Sequence, residues 1–253
     1  MEFFHNSKPV WAEGLEHEIN ITCGFYAKVV KESGKQYKVC LAASSFYRLF
    51  INNRFICYGP ARCAHGYYRV DEVDLSQYLD DGVNHLAIEA VGYNVNSFYA
   101  LDQPSFLQAE LFKDGRTIAA TGADNVFVGF VLTQRRRKMQ RFSFQRAIAE
   151  SYILSPGVDE WRKGNFSMKQ PVRLVCVSEK KMIARGIPMN TFSAVALKTV
   201  VARGNVRTGV IPPVYRKDRQ LTRISEKLKG FKESDLELHL SDEVQEMEYF
   251  NRG

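Results

Sequence analysis

Residues 47–93, YRLFINNRFICYGPARCAHGYYRVDEVDLSQYLDDGVNHLAIEAVGY, decide the fold, and they read as a run of strands. Residues 46–51 and 54–58 are rich in aromatic and β-branched side chains. Between them Asn52 and Asn53 tolerate positive φ, as a two-residue hairpin turn requires. Tyr47, Leu49 and Ile51 share one face by period-2 alternation and Arg48 takes the other, which predicts one buried face and one partly wet. Gly59-Pro60 cannot continue a ladder and opens the loop ARCAHGYY. Farther on, 69–73 predicts a short strand and 85–91 a long one, with a shaped reversal between them. Leu75 and Leu79 are spaced as one apolar helical turn, Gly82 can take the left-handed conformation that ends it, and Asn84 can bond the backbone nearby.

Outward from this stretch the pattern is the same. Trp11 and 19–30 open the array, the turn 32–35 leads into 36–43 as a second hairpin, and 94–105 forms a polar and aromatic loop closed by a proline. Asp114-Gly115 predicts a tight turn between 106–112 and 116–121, and 122–125 reverses the chain into a strand over 126–133. Many short strands at turn-separated intervals, with no βαβ rhythm, predict an all-β sandwich.

The order of a strand ending in Asn52-Asn53, then Gly59-Pro60-Ala61-Arg62, then Asp74-Leu75-Ser76 with Leu79, Gly82, Asn84, Leu86 and Ile88 at fixed offsets resembles the N-terminal jelly-roll module of bacterial α-L-rhamnosidases. Its second half is shared with galactose-binding-like sandwiches of other large glycosidases. RFSFQRAIAESY, 141–152, looks like a segment that rhamnosidases carry late in this module, and Arg185-Gly186-Ile187-Pro188 is similar to the place where the jelly roll hands over to the next domain. The resemblance covers roughly 37–189. It implies a galactose-binding-like jelly-roll β-sandwich over 1–188, and over 189–253 the start of a second domain or a linker. In that second part 191–201 looks strand-like. Residues 218–229 read as one helix, with Leu221, Ile224 and Leu228 in helical register and Gly230 at its end.

Composition limits the function. The 253 residues are 45% hydrophobic and 25% charged, ordinary for a globular chain, and twelve Tyr and seventeen Phe suit β architecture with aromatics left for surfaces. The net charge of +7 raises nucleic acid as a partner, and the basic residues gather at 135–138, Arg141 and Arg146. No nucleic-acid module surrounds them, Phe142 and Phe144 alternate as if pointing into a core, and the resemblance makes the arginines structural. Cys23, Cys40, Cys57, Cys63 and Cys176 have no C-x-x-C spacing and read as reduced core residues. No basic region followed by an apolar run opens the chain and no eighteen-residue apolar window occurs, so a cytoplasmic protein without a membrane span is expected.

Rhamnosidases use a general-acid and a general-base carboxylate, which the resemblance places in a helical toroid after the β modules. No residue of this chain inherits either role, so the expectation is a truncated or split product that is inactive alone. The histidines form no metal-ligand spacing and no nucleotide or nucleophile motif occurs, so no cofactor or metal is assigned. Asp71, Glu72 and Asp74 read as strand-end and turn-forming groups rather than a paired-carboxylate site. What remains is an accessory module that binds carbohydrate, or a purely structural module that packs on a catalytic glycosidase domain. Counting chain reversals puts the loops 59–68 and 94–105 at one end of the sandwich. There Tyr67, Tyr68 and Tyr99 offer faces for stacking on a sugar, and Arg62, His65, Asn94, Asn96 and Asp102 offer hydrogen bonds.

Overall fold

The computed structural model describes residues 3–122, 127–141, 144–145, 147–202, 204–210, 228–238 and 243–249. Two sheets face each other. One has six strands in the order β11 (Pro171–Val172), β10 (Val128–Val131), β2 (Ile21–Lys31), β7 (Gly82–Gly92), β4 (Phe46–Ile51) and β5 (Arg54–Gly59). The other has seven: β12 (Leu174–Cys176), β1 (Val10–Ala12), β8 (Leu107–Lys113), β3 (Tyr37–Ala43), β6 (Tyr67–Asp74) and β13 (Lys181–Ala184) in that order, with β9 (Arg116–Ala120) added to β8. The chain crosses between sheets after β1, β2, β3, β5, β6, β7, β9 and β11, the habit of a jelly roll. A separate antiparallel pair joins β14 (Gly204–Val210) to β15 (Glu243–Tyr249).

The core follows from period-2 patterning. Phe25 and Val29 of β2, Leu49 and Ile51 of β4, and Leu86 and Ile88 of β7 meet Val39, Leu41 and Leu111 of the opposite sheet, all at most 1% exposed. Part of the six-stranded sheet is buried on its outer face as well. Tyr26, Phe50, Ala87 and Phe130 lie beneath Trp161, which stands on a single 3-10 turn, Glu160–Lys163. This second covering layer explains why β7 is buried without interruption from Leu86 to Ala90 instead of alternating.

The organising stretch folds as its residues predict. Asn52 and Asn53 have φ of 50° and 63° and close the β4–β5 hairpin, and Asp114 with Gly115 closes β8–β9 in the same way. Leu75 and Leu79 are buried in one turn, with the Leu79 amide donating to the Leu75 carbonyl at 3.2 Å, and Gly82 follows at φ 84°. Asn84 is fully buried. Its amide donates to the carbonyls of Asp80 (2.7 Å) and Gly82 (3.0 Å), and its Oδ1 accepts from the Asp80 amide and from Asn52 Nδ2. One side chain thus ties the reversal to the hairpin turn.

Four expectations are corrected. β2 and β3 are not a hairpin: β2 pairs with β7 over eleven residues, from Ile21↔Gly92 to Lys31↔Gly82, whereas β3 pairs with β6 and β8 in the opposite sheet. The turn at 32–35 is a crossover, held by Tyr37, whose hydroxyl donates to the Val30 carbonyl (3.1 Å) and accepts from the Glu32 amide (2.9 Å). Residues 191–201 form no strand, because no described edge pairs with them, and strand propensity without a ladder leaves backbone groups to water. Phe144 is exposed and stacks edge-on against Phe98, with ring centroids 5.2 Å apart. Cys176 is exposed and Cys63 half-buried, while the other three cysteines are in the interior. Phe142, Arg146 and residues 218–227 of the expected helix lie outside the described residues.

Asp71 is also not a solvated strand end. It is 0% exposed, accepts from the Tyr47 hydroxyl at 2.6 Å, and pairs with Arg185 at 2.7 Å. Glu72 and Asp74 do behave as expected, pairing with Lys38 and accepting from the Ser76 amide.

Two stability outcomes follow. Asn84→Ala leaves buried backbone groups without partners and should lower unfolding free energy by about 2–3 kcal/mol in urea titration. Arg185→Ala leaves Asp71 buried and unpaired and should cost about 3–5 kcal/mol by the same measurement, while Arg173→Ala, at an exposed ion pair with Glu13, should cost under about 1 kcal/mol.

Candidate functional site

The loop after β5 and the loop after β7 meet at one end of the sandwich and enclose a cleft of about 200 Å³. Gly59, at the loop's entry, has no room for a side chain, since a Cβ there would fall on Asp71 Oδ2 and the Tyr47 hydroxyl. Pro60 then turns the chain away from the ladder, with a cis bond before it. Arg69 of β6 holds the loop from below: its Nε donates to the Arg62 carbonyl at 2.8 Å, and its guanidinium also reaches the carbonyls of Ala184 (2.9 Å) and Arg185 (2.5 Å).

The opposite wall is the loop 93–106. Asn94 sits at φ 49°, which suits asparagine, and its amide donates to the carbonyls of Glu16 and Glu18 while its Oδ1 accepts from Ser105. Ser97 Oγ accepts from the amides of Tyr99 and Ala100 and so sets the ring of Tyr99 against Phe46, with centroids 5.7 Å apart. Across the cleft, the Arg62 guanidinium lies 6.0 Å from the Tyr99 ring centre. The floor is polar and fixed: Tyr68 donates to Gln103 (3.0 Å), whose amide donates to the Ser44 carbonyl (2.5 Å), and the Tyr68 ring rests edge-on against Phe106. Burial raises the Tyr68 phenol, which keeps it a donor.

Arg62, His65, Tyr67, Tyr68 and Tyr99 therefore line one cleft. Asn94, Asn96 and Asp102 do not. Asn94 is buried in the loop's base, Asn96 accepts from the Asp102 amide, and Asp102 pairs with Lys229. Asn94 and Asn96 serve backbone groups that need partners and Asp102 serves a lysine, uses that sequence alone does not separate from ligand binding. Phe98, Arg69 and Gln103 also line the cleft and were not singled out from the sequence. Phe98 stands next to Tyr99 in the same aromatic loop and is 61% exposed, so the clue was adjacency.

Among the described residues the lining carries Arg62, Arg69 and His65 and no carboxylate. Paired-carboxylate hydrolysis therefore has no residues to work with here. Among the described residues no cluster of three His, Cys, Asp or Glu could hold a metal ion. What the cleft does offer is aromatic faces from Tyr67, Phe98 and Tyr99 above a floor of oriented donors and acceptors.

The basic run has internal uses. Arg135, 6% exposed, donates to Thr22 (3.0 Å) and Tyr93 (3.1 Å), and Arg137 pairs with Glu18 and donates to the Ile19 carbonyl.

No protein-family model and no curated protein matches the chain. Solved structures do. A GH78 family rhamnosidase of Bacillus sp. GL1 superimposes with a TM-score of 0.64 at 22% identity, over 73% of this chain and 20% of that one. The α-L-rhamnosidases of Aspergillus terreus (13% identity) and Dictyoglumus thermophilum (14% identity) each reach a TM-score of 0.49, over 71% of this chain and 22% of theirs. This chain thus spans about a fifth of the length of these three proteins, and at 22% identity the likeness to the Bacillus enzyme is one of fold: the sandwich resembles part of a rhamnosidase.

Proposed function

We propose that the chain is a non-catalytic accessory sandwich of an α-L-rhamnosidase-like glycoside hydrolase, and that it binds carbohydrate in the cleft between the loops 60–66 and 93–106. One observation carries the reading: a cleft with aromatic faces and fixed hydrogen-bonding groups, and no carboxylate among its described residues. Sugar rings present C–H faces to aromatic planes and hydroxyl edges to donors and acceptors, which is the pairing this lining supplies. The fold likeness to part of a rhamnosidase supports the same reading. Hydrolysis is then the work of a separate catalytic domain, and the division of the chain near Pro188 belongs to the same proposal.

A second reading, a module that only packs on a catalytic domain, is favoured by one feature. Val195, Leu197 and Val201 are 94%, 88% and 93% exposed, an apolar run suited to covering by another body. Titration separates the two readings.

Affinity for L-rhamnose should be weak, on the order of millimolar to high micromolar, since a small open cleft buries little of a ligand. Tyr67→Ala should weaken it about fivefold, as one aromatic contact contributes roughly 1 kcal/mol, without lowering the melting temperature of a side chain already 44% exposed. No binding by the parent chain favours the packing module. The cysteines supply an independent readout. Burial pushes the thiols of Cys23, Cys40 and Cys57 up to about 12, so native alkylation near pH ~8 should label Cys176 and Cys63 alone. Cys63 lines the cleft, and bound saccharide should slow its labelling and leave that of Cys176 unchanged.

A further inference from the structure

The outer face of the six-stranded sheet is covered on one side by the Trp161 turn and on the other by the segments 132–135 and 150–153, and a second cavity, of about 230 Å³, opens on this face. Its base is a row set by strand register, Arg48 of β4 opposite Glu89 of β7. Glu89 is 5% exposed and held from two sides, by Arg48 (2.5 Å) and by Arg162. The covering segments add Arg135, Glu150 and Tyr152. Glu150 Oε1 accepts from Tyr93 (3.3 Å), its Oε2 accepts from Tyr152 (3.1 Å), and Arg135 stands 3.4 Å from it. Arg135 Nε is buried with no hydrogen-bond partner among the described residues, and the side chains of Arg48 and Glu150 are 44% and 54% exposed.

Two carboxylates each paired with a guanidinium group, Glu89 with Arg48 and Glu150 with Arg135, beside the Tyr152 ring, set acceptors next to donors on one surface. Adjacent hydroxyls of a sugar ring, each both donor and acceptor, match that arrangement better than a simple anion or cation does, since either ion would meet a like charge. The cavity shares Phe46 and Tyr99 with the first cleft, so the two lie on opposite sides of one aromatic wall. Each is below the ~300 Å³ at which drug-sized sites begin and is suited to one ring.

We propose that this cavity is a second saccharide subsite, that the Phe46–Tyr99 pair is the ridge between the two, and that the ligand is therefore a saccharide of at least two rings. The inference rests on the carbohydrate reading of the first cleft for its ligand class, but on different residues. Joining two weak subsites through one ligand raises affinity without new contacts at either.

The test uses the full isotope-labelled chain, titrated with L-rhamnose and with rutinose, a rhamnosyl-glucose disaccharide, while amide shifts are followed. Rutinose should bind about tenfold more tightly than rhamnose and perturb amides around Arg48, Glu89 and Tyr152 as well as those around His65 and Tyr67. Glu150→Gln and Arg48→Gln should abolish the gain and leave the rhamnose affinity unchanged. Both are tolerable to the fold, since Arg135 keeps Thr22 and Tyr93 as acceptors after Glu150→Gln, which itself retains an amide oxygen, and Glu89 keeps Arg162 when Arg48 is lost. Perturbation confined to the first cleft, or a gain that survives both substitutions, overturns the second subsite and leaves the first. Perturbation around Arg48 and Tyr152 alone, unaffected by Tyr67→Ala, overturns the first and supports the second. A flat response at both cavities overturns both.

Discussion

The sandwich depends on a polar contact in its middle. Tyr47 belongs to the six-stranded sheet and Asp71 to the seven-stranded one. Their 2.6 Å hydrogen bond crosses the interior, with Arg185 completing the carboxylate from the strand-end that follows β13. A buried carboxylate is costly unless each oxygen is paired, and here Oδ2 takes the phenol while Oδ1 takes the guanidinium. Burial first, then the Asp71 charge, pushes the Tyr47 phenol well above its ordinary range, so it stays a donor wherever the protein is folded. Hydrophobic contacts tolerate sliding of one sheet over the other. This bond has one geometry, and it fixes the relative setting of β4, β6 and the segment after β13.

The first cleft is built on that setting. Gly59 approaches the Tyr47–Asp71 pair too closely for any side chain, which starts the loop 60–66 at a fixed point, and Arg69, two residues from Asp71, ties the same loop to the backbone at 184–185. The opposite loop is anchored independently, by Asn94 on the backbone at Glu16 and Glu18. A site between two loops has a defined shape only if both are held from beneath, and here the half-buried Arg69 holds one and the buried Asn94 the other.

Asp71 and Asn94 also show where reading the sequence stops. Each sits among polar neighbours in a segment rich in turn residues, and each looks like surface. Their burial comes from groups far along the chain, Arg185 in one case and Glu16 with Glu18 in the other. Nothing local announces those partners. The same holds for the turn at 32–35: its residues suit a hairpin, and only the longer eleven-residue match of β2 with β7 sends the chain across to the other sheet.

The sequence by itself determined the all-β class, the Asn52-Asn53 and Asp114-Gly115 hairpins, the Leu75–Asn84 reversal and the meeting of two aromatic loops at one end. All of these rest on contacts within a few residues or on period-2 alternation, and such signals survive without knowledge of the partner strand. Tertiary structure decided which strands pair, which polar residues are framework rather than lining, and that a charged cavity lies across β4 and β7 beside Arg135, Glu150 and Tyr152. Those features depend on side chains brought together over tens to more than a hundred positions, from Arg48 to Glu89 and from Thr22 to Arg135. Strand register and sheet packing create that proximity, and no local pattern encodes it.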